Sequence, residues 1–232
     1  MEVQYFIHPY AYLIGDAIFL SVWLVIFLLR RDLRRELIVM SVVGAVFAPF
    51  AFIYLPDYWY PDHVLGHPLG IEDFIFAFSI AGIGGTLYET LARKSHTICE
   101  CRKRNILGLA AIIFFAVATL IGLTVIFGLN SIYSSYIAFL VIFSYIMYFR
   151  RDLFWQSIAS GAAVGVLMFL FYLVWIYIYP DIIQHWWKLE NISGILFFGA
   201  PLEEIVWGFS WGIVGGVIYE FSRGINLKSK NE

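Results

Sequence analysis

The sequence predicts an all-α polytopic membrane protein: seven transmembrane helices, built as two parallel three-helix repeats joined by a linking helix. Three observations carry that prediction. The 232 residues are 61% hydrophobic and only 14% charged, whereas soluble domains carry about 25% charged residues. Stretches close to the ~20 apolar residues that a spanning helix needs fall at roughly 10–29, 36–55, 71–91, 106–128, 132–149, 156–179 and 201–221. One unusual segment also occurs twice: GIEDFIFAFSIAGIGGTLYE at 70–89 aligns without a gap on PLEEIVWGFSWGIVGGVIYE at 201–220.

The copying extends upstream. Arg30-Arg31-Asp32-Leu33 recurs as Arg150-Arg151-Asp152-Leu153, and Tyr60-Pro61-Asp62 recurs as Tyr179-Pro180-Asp181. Each copy therefore reads apolar span, RRDL, apolar span, YPD loop, acidic-pair helix. Such a repeat governs every later assignment. Equivalent spans lie an even number of crossings apart, so the copies share one orientation, as parallel repeats do. The expected division is 1–92 for the first repeat, 93–130 for a basic loop plus the linking helix, 131–224 for the second repeat and 225–232 for a tail.

Taken in order, the first span follows MEVQYFIHPY. No basic region precedes its apolar run, so it reads as a retained span rather than a cleaved signal. The connections at 30–36, 92–105 and 150–152 and the tail after Ser222 are rich in Lys and Arg, and the alternate connections are not. The positive-inside rule then predicts a multi-pass cell-membrane protein with the N-terminus outside and the C-terminus cytoplasmic. Each RRDL is expected to send its arginines to lipid headgroups and to use its Asp as a helix cap. Trp59, Trp186 and Trp187, with Tyr58, Tyr60 and Tyr179, read as an interfacial aromatic belt. Pro201 suits a first helical turn. The run Ile195-Leu196-Phe197-Phe198 before it reads as a segment folded back against the membrane, which would put Glu203 and Glu204 below a lid. Glu89 and Glu220, at the far ends of the repeated helices, are expected to pair locally with Arg93 and Arg223.

The repeated helix carries the chemistry. Carboxylates in a bilayer are costly and are usually functional, and here Glu72-Asp73 and Glu203-Glu204 occupy matching positions. Asp73 and Glu204 each head a stripe of small residues (Ala77, Ala81, Gly85 and Gly208, Gly212, Gly216), which is expected to join the two repeats. Glu203 shares a face with Trp207, Ser210 and Trp211, and Glu72 shares one with Phe76, Ser79 and Ile80. A desolvated acid beside a second acid is able to hold a proton near neutrality. Aromatic faces attract a neighbouring cation; Phe78 and Phe209, at matching positions, join Trp207, Trp211 and Phe76 as candidates for that wall. Proton donor plus aromatic wall suits acid-catalysed chemistry on an alkene. The plainer alternative is that the acids accept hydrogen bonds from loop N–H groups and close the helix starts.

These residues resemble a known family. Tyr12-Leu13 with Asp16, the run Tyr58-Trp59-Tyr60-Pro61-Asp62-His63-Val64-Leu65-Gly66, an acidic-pair helix ending Tyr88-Glu89 and a second one opening Pro201-Leu202-Glu203-Glu204 are similar to the small membrane lycopene cyclases. Those occur as paired subunits in some bacteria and as fusions in archaea and fungi. The resemblance spans nearly the whole chain, although Gly70-Ile71-Glu72-Asp73 replaces the family's usual proline followed by two glutamates. It implies conversion of the linear ends of lycopene into β-ionone rings without net redox change and without a cofactor. The family's acid motifs fall on Glu72, Asp73, Glu203 and Glu204. In the reaction so implied, Glu203 or Glu72 donates the proton. Trp207, Trp211 and Phe76 hold the cation, and Glu204 or Asp73 serves as counter-charge or base.

Other readings are narrower. A transporter or channel built from the same parallel repeats is the alternative function, although the acids sit toward one side of the membrane rather than at its midplane. A retinal Schiff base would need a lysine within a span, and Lys94, Lys103, Lys188, Lys228 and Lys230 all lie in loops or the tail. A Glu-Glu membrane protease would need intramembrane histidines, and the predicted spans hold none. His63 and His67 beside Asp57 and Asp62 give only a weak metal pattern, and His96, Cys99 and Cys101 lack a fourth ligand; no metal is expected. The net charge of -2 implies no nucleic-acid partner. The expected partners are a hydrophobic isoprenoid substrate and the lipid bilayer, with a homo-oligomer left open.

Overall fold

In the computed structural model, which describes residues 8–98 and 105–229, seven helices are long and apolar enough to cross a membrane. The chain runs α1 (Ala11–Leu29), α2 (Arg34–Phe47, prolonged by a 3₁₀ turn to Ile53), α3 (Ile71–Leu91) and strand β1 (Lys94–Ile98). It continues through α4 (Ile106–Ile121, running into a π turn to Ile126), α5 (Ser131–Phe149), α6 (Phe154–Ile178) and the short α7 (Ile182–Trp186). Strands β2 (Leu196–Phe197) and β3 (Ala200–Pro201), α8 (Leu202–Arg223) and β4 (Ile225–Ser229) complete it. The all-α membrane fold holds. Helix starts follow local chemistry: the side chains of Asn105 and Asn130 accept from Gly108 N and Ile132 N at 2.8 and 3.0 Å, as N-caps do. At its far end α8 stops at Gly224, whose φ of 67° places it in the left-handed region that glycine tolerates.

The two RRDL turns do something other than meet headgroups. The first arginine of each is buried. Arg30 pairs with Asp32 at 2.8 Å and donates to the carbonyls of Glu89 and Lys94. Arg150 pairs with Asp152 at 2.9 Å and donates to Glu220 O at 3.2 Å and Ile225 O at 3.1 Å. In both halves an arginine thus ties off the end of the acidic-pair helix and the strand after it, satisfying carbonyls that a helix C-terminus leaves without partners. Each Asp orients its arginine and does not cap; α2 and α6 start without a side-chain cap. Between the two ends β1 and β4 pair antiparallel, from Lys94 opposite Ser229 to Ile98 opposite Ile225. Two five-residue segments so far apart in sequence carry too little pattern to predict that pairing. The candidate group His96, Cys99 and Cys101 lies outside the described residues, the backbone of His96 excepted.

Glu89 and Glu220 also depart from expectation. Both are fully buried, and both turn inward onto one amide: Gln156 Nε2 donates to Glu89 Oε1 at 3.1 Å and to Glu220 Oε1 at 3.0 Å. A local pairing of Glu89 with Arg93 fails because the chain turns at Arg93, whose φ is 52°.

The small-residue stripes pack chiefly within each half, although a Cβ on Gly216 would also come within 3.4 Å of Gly84 O in the other half. A Cβ on Gly212 would come within 2.8 Å of Ser160 O and within 2.9 Å of Val164 Cβ, and one on Gly208 would strike Met168, so α8 lies on α6. Likewise Ala77 and Ala81 of α3 fill the space left by Gly44 of α2. The halves meet through an aromatic side chain: Trp211 lies over Gly84 and donates Nε1–H to Ile80 O at 3.2 Å. This indole stands between α3 and α8 and lines the cavity described next. Gly212→Leu should therefore force α8 off α6. Overpacking costs about 1–3 kcal/mol, so the melting temperature in detergent should fall by roughly 2–12 °C. Gly122→Leu, with nothing within 4 Å of its Cβ position, should leave it unchanged.

Candidate active site

A cavity of about 410 Å³ runs between the halves, from Tyr12, Asp16 and Asp73 at one end to Tyr219 and Ser222 at the other. Its long walls are apolar: Val39 and Val43 from α2, Ile113 and Val117 from α4, and Phe139 and Ile142 from α5. Polar side chains gather at the end where α1, α3 and α8 bring their carboxylates together.

The roof over that end is aromatic and comes from the loops. Tyr60 N donates to Trp186 O at 2.7 Å and Lys188 N donates to Tyr58 O at 2.8 Å, so the two loops clasp each other through a bridge between Trp59 and Trp187. Tyr58, Trp186 and Trp187 are buried, and Tyr60 alone of this run is well exposed. The expected aromatic belt is mostly a lid. The segment expected as the lid is not one: Leu196 and Phe197 pair with Pro201 and Ala200 in a tight turn, and Ile195 to Phe198 stay exposed, with Phe197 leaning on Phe169.

The acidic pairs divide: one member of each lines the cavity and the other anchors a loop. Glu72 Oε1 accepts from Val64 N at 2.8 Å. Glu203 Oε1 accepts from Ser193 N at 2.9 Å and from Tyr133 OH at 3.3 Å. Neither lines the cavity; each anchors the loop that precedes its own helix, as capping carboxylates do. Asp73 and Glu204 do line it. Asp73 accepts at Oδ2 from Gly70 N and from His63 Nε2, both at 2.8 Å, and at Oδ1 from Tyr12 OH at 3.2 Å. Glu204 accepts at Oε1 from Tyr58 OH at 2.6 Å and from Trp187 Nε1 at 3.0 Å. Burial pushes the Tyr58 phenol well above its ordinary range and the Glu204 charge adds to that shift, so Tyr58 stays a donor. On α3 the alanines below Asp73 line the cavity, on α8 the glycines below Glu204 lie on α6, and the partner acids turn toward the loops.

Of the expected aromatic wall, Phe76, Trp207 and Trp211 line the cavity, one or two turns below the acids. Phe76 and Trp207 lie 6.2 Å apart across it, and Phe139 closes on both indoles at 6.2 and 6.0 Å. Phe78 and Phe209 are corrected: Phe78 packs on Trp23 and Phe209 on the α6 glycines, both away from the cavity. The histidine and aspartate set weighed as a metal pattern disperses. Its His63 goes to Asp73, its Asp57 accepts from Ser131 N at 2.8 Å, and its Asp62 accepts from Trp186 Nε1 at 3.3 Å. Outside the spans, His8 Nε2 lies 2.8 Å from Asp181 Oδ1 and holds that carboxyl below its usual range.

Sequence reasoning missed His63, Tyr58, Trp187 and Asp16 as parts of the site. His63 and the aromatics sit in loops whose fold was not legible. Asp16 was visible as a lone acid inside the first span, a position that by itself signals function.

Fold and site together define a polytopic membrane protein with an apolar cavity closed at one end by hydrogen-bonded carboxylates under an aromatic lid. The family described as lycopene cyclase matches residues 9–91 and 130–222, and the chain belongs to that family. The match covers both acidic-pair helices and omits the loop and helix between the halves. No curated protein and no solved structure matches the chain.

The donors to Glu204 are testable. A hydrogen bond to a charged group contributes about 1.5–3 kcal/mol. Tyr58→Phe should destabilise the protein by that amount in chemical denaturation, whereas Tyr60→Phe, at an exposed neighbour, should change nothing measurable.

Proposed function

We infer from the family match a lycopene cyclase-like function in the membrane. We propose the specific reaction: acid-catalysed, non-redox closure of the linear end of a lycopene-type polyene to a β-ionone-type ring. The observation that supports it most is the cavity itself, apolar along its length and carboxylate-lined at one end. A small polar solute would find no partners along such walls, which weighs against the transporter reading.

The polyene end sits under Tyr58, Trp59 and Trp187 with its chain extending down the apolar walls. A proton from a carboxyl at this end adds to the terminal trisubstituted double bond and leaves a tertiary cation. Phe76, Trp207 and Trp211 face that cation. The next suitably placed double bond supplies its electron pair, the ring C–C bond forms, and the positive charge moves onto the ring. Asp73, oriented by His63, Tyr12 and Gly70 N, is placed to take the proton that leaves as the ring double bond forms. Glu204, held by Tyr58 and Trp187, supplies a fixed negative charge to the cationic stage, the kind of preorganised electrostatics that dominates many enzyme sites. Proton uptake and loss balance, so the product is an isomer of the substrate.

The polyene reaches the cavity from the bilayer between α2 and α4. Both line it, while α4 packs chiefly on α5. The loop charges orient the acidic end toward the outside and the strand pair toward the cytoplasm.

Expression in a lycopene-accumulating host with chromatography of the extracted pigments tests the reading. The wild-type chain should convert linear end groups to β-rings, and its failure on every polyene supplied would remove the proposal. At matched expression, Asp73→Asn and Glu204→Gln should lose on the order of 10²-fold or more of the ring-forming rate. Glu72→Gln and Glu203→Gln, which alter only loop anchoring, should keep most of it.

A further inference from the structure

Asp16 lies outside the duplicated acidic pairs, and the reaction as set out above gives it no role. It lies in the first half of α1, is 1% exposed and lines the cavity. Neither of its oxygens has a hydrogen-bond partner, which sets it apart from the other acids at this end. Asp73 and Glu204 both accept from N–H and O–H donors. Among the described residues no donor reaches Asp16. Its surroundings are a turn of aromatics. Tyr12 and Phe19, at i−4 and i+3, share its face of α1. Phe19 lies 4.3 Å from Phe171 and 5.6 Å from Phe76 between ring centroids. A Cβ on the adjacent Gly15 would meet Phe171 and Trp175.

A pair of carboxyls in contrasting environments is how one site runs acid and base chemistry together: the one in apolar surroundings donates, and the hydrogen-bonded one stays ionised. We propose that Asp16 is the catalytic proton donor of the ring closure. This assignment rests on the cyclase reading above and names the acid that the reading leaves open. The Asp16 O–H bond breaks and its proton forms a C–H bond with the less substituted carbon of the terminal alkene. The π pair of that alkene is consumed in the new bond, and the cation develops one carbon further along, against Phe19 and Phe76. After ring closure the departing proton goes to Asp73, whose partner Tyr12 stands one turn from Asp16 on the same helix face. The carboxyl pair as a whole ends each cycle with the proton count with which it began.

The site also explains why Asp16 tolerates having no partner. A donor placed against it would hold it as an anion and remove its proton from the reaction. In the second half the position matching Asp16, by the spacing of the two RRDL motifs, is Tyr136, whose hydroxyl donates to Glu203 O at 2.7 Å. The two halves therefore differ at this position, and the cavity has one donor rather than two.

The test compares wild type, Asp16→Asn and Asp16→Glu in membranes of a lycopene-accumulating host. Asp16→Asn should retain its melting temperature and still co-purify with linear polyene, yet lose at least ~10²-fold of the ring-forming rate. Asp16→Glu, which keeps the acid, should restore part of it. A wild-type rate in Asp16→Asn would overturn the assignment while leaving the cyclase reading intact, and an inactive wild type would overturn both. A second readout does not depend on the variants. Dicyclohexylcarbodiimide, an apolar reagent for carboxyls that hold their proton, should label Asp16 in the wild type, as read by mass spectrometry, and added lycopene should protect it. An active wild type unlabelled at Asp16 would overturn the assignment even if the Asn variant failed to fold.

Discussion

A carboxyl in the bilayer must find its partners within the protein, because lipid offers none. That constraint orders this structure. Every acid near the cavity is sorted by the donors it meets. Glu72 and Glu203 take loop N–H groups and hold the loops down. Glu204 takes a phenol and an indole, and Asp73 takes a histidine, a phenol and a backbone N–H. Asp16 takes none. At the opposite end Glu89 and Glu220 share one glutamine amide. The aromatic lid is part of the same accounting: Tyr58 and Trp187 are packed over the cavity because their polar atoms have somewhere to donate, as buried Tyr and Trp require.

The helices are assembled so that this sorting works. Glycines on α8 let it lie directly on α6, and the matching alanines on α3 seat it against Gly44 of α2. Close approach within each half leaves the junction between halves to larger side chains, Trp211 above all. That indole stands at the junction and is part of the cavity wall. Two buried arginines then lock the far ends, each gripping the carbonyls where an acidic-pair helix stops and its strand begins. The arginine-tied end and the end that carries Asp73 and Glu204 are thus different ends, joined by the same two helices.

The two halves share their helix-end contacts and differ at the cavity. The arginine contacts are alike in both halves. The cavity contacts are not: His63 serves Asp73, while Tyr58 and Trp187 serve Glu204. Tyr58 comes from the loop of the first half yet acts on the acid of the second. Such exchange makes the site a property of both halves together and gives carboxyls of similar position different environments, which is what acid and base roles need.

The sequence by itself determined the membrane class, the number and approximate bounds of the spans, the family resemblance and the helices that carry the acids. Those features depend on composition, apolar length and motif spacing, all of which are local along the chain. It also placed Phe76, Trp207 and Trp211 correctly near the acids, because one helical turn is a local distance. The tertiary structure decided the rest. Whether Glu203 or Glu204 faces the cavity depends on the rotation of α8, set by glycines meeting α6. Whether Arg30 reaches lipid or the end of α3 depends on where a helix distant in sequence stops. The lid, the Asp73–His63 contact and the β1–β4 pair all join segments whose mutual position no periodicity encodes. Asp16 shows the boundary plainly: its presence in a span was legible, but its lack of any donor is a fact about every neighbour around it, and only the folded chain supplies those neighbours.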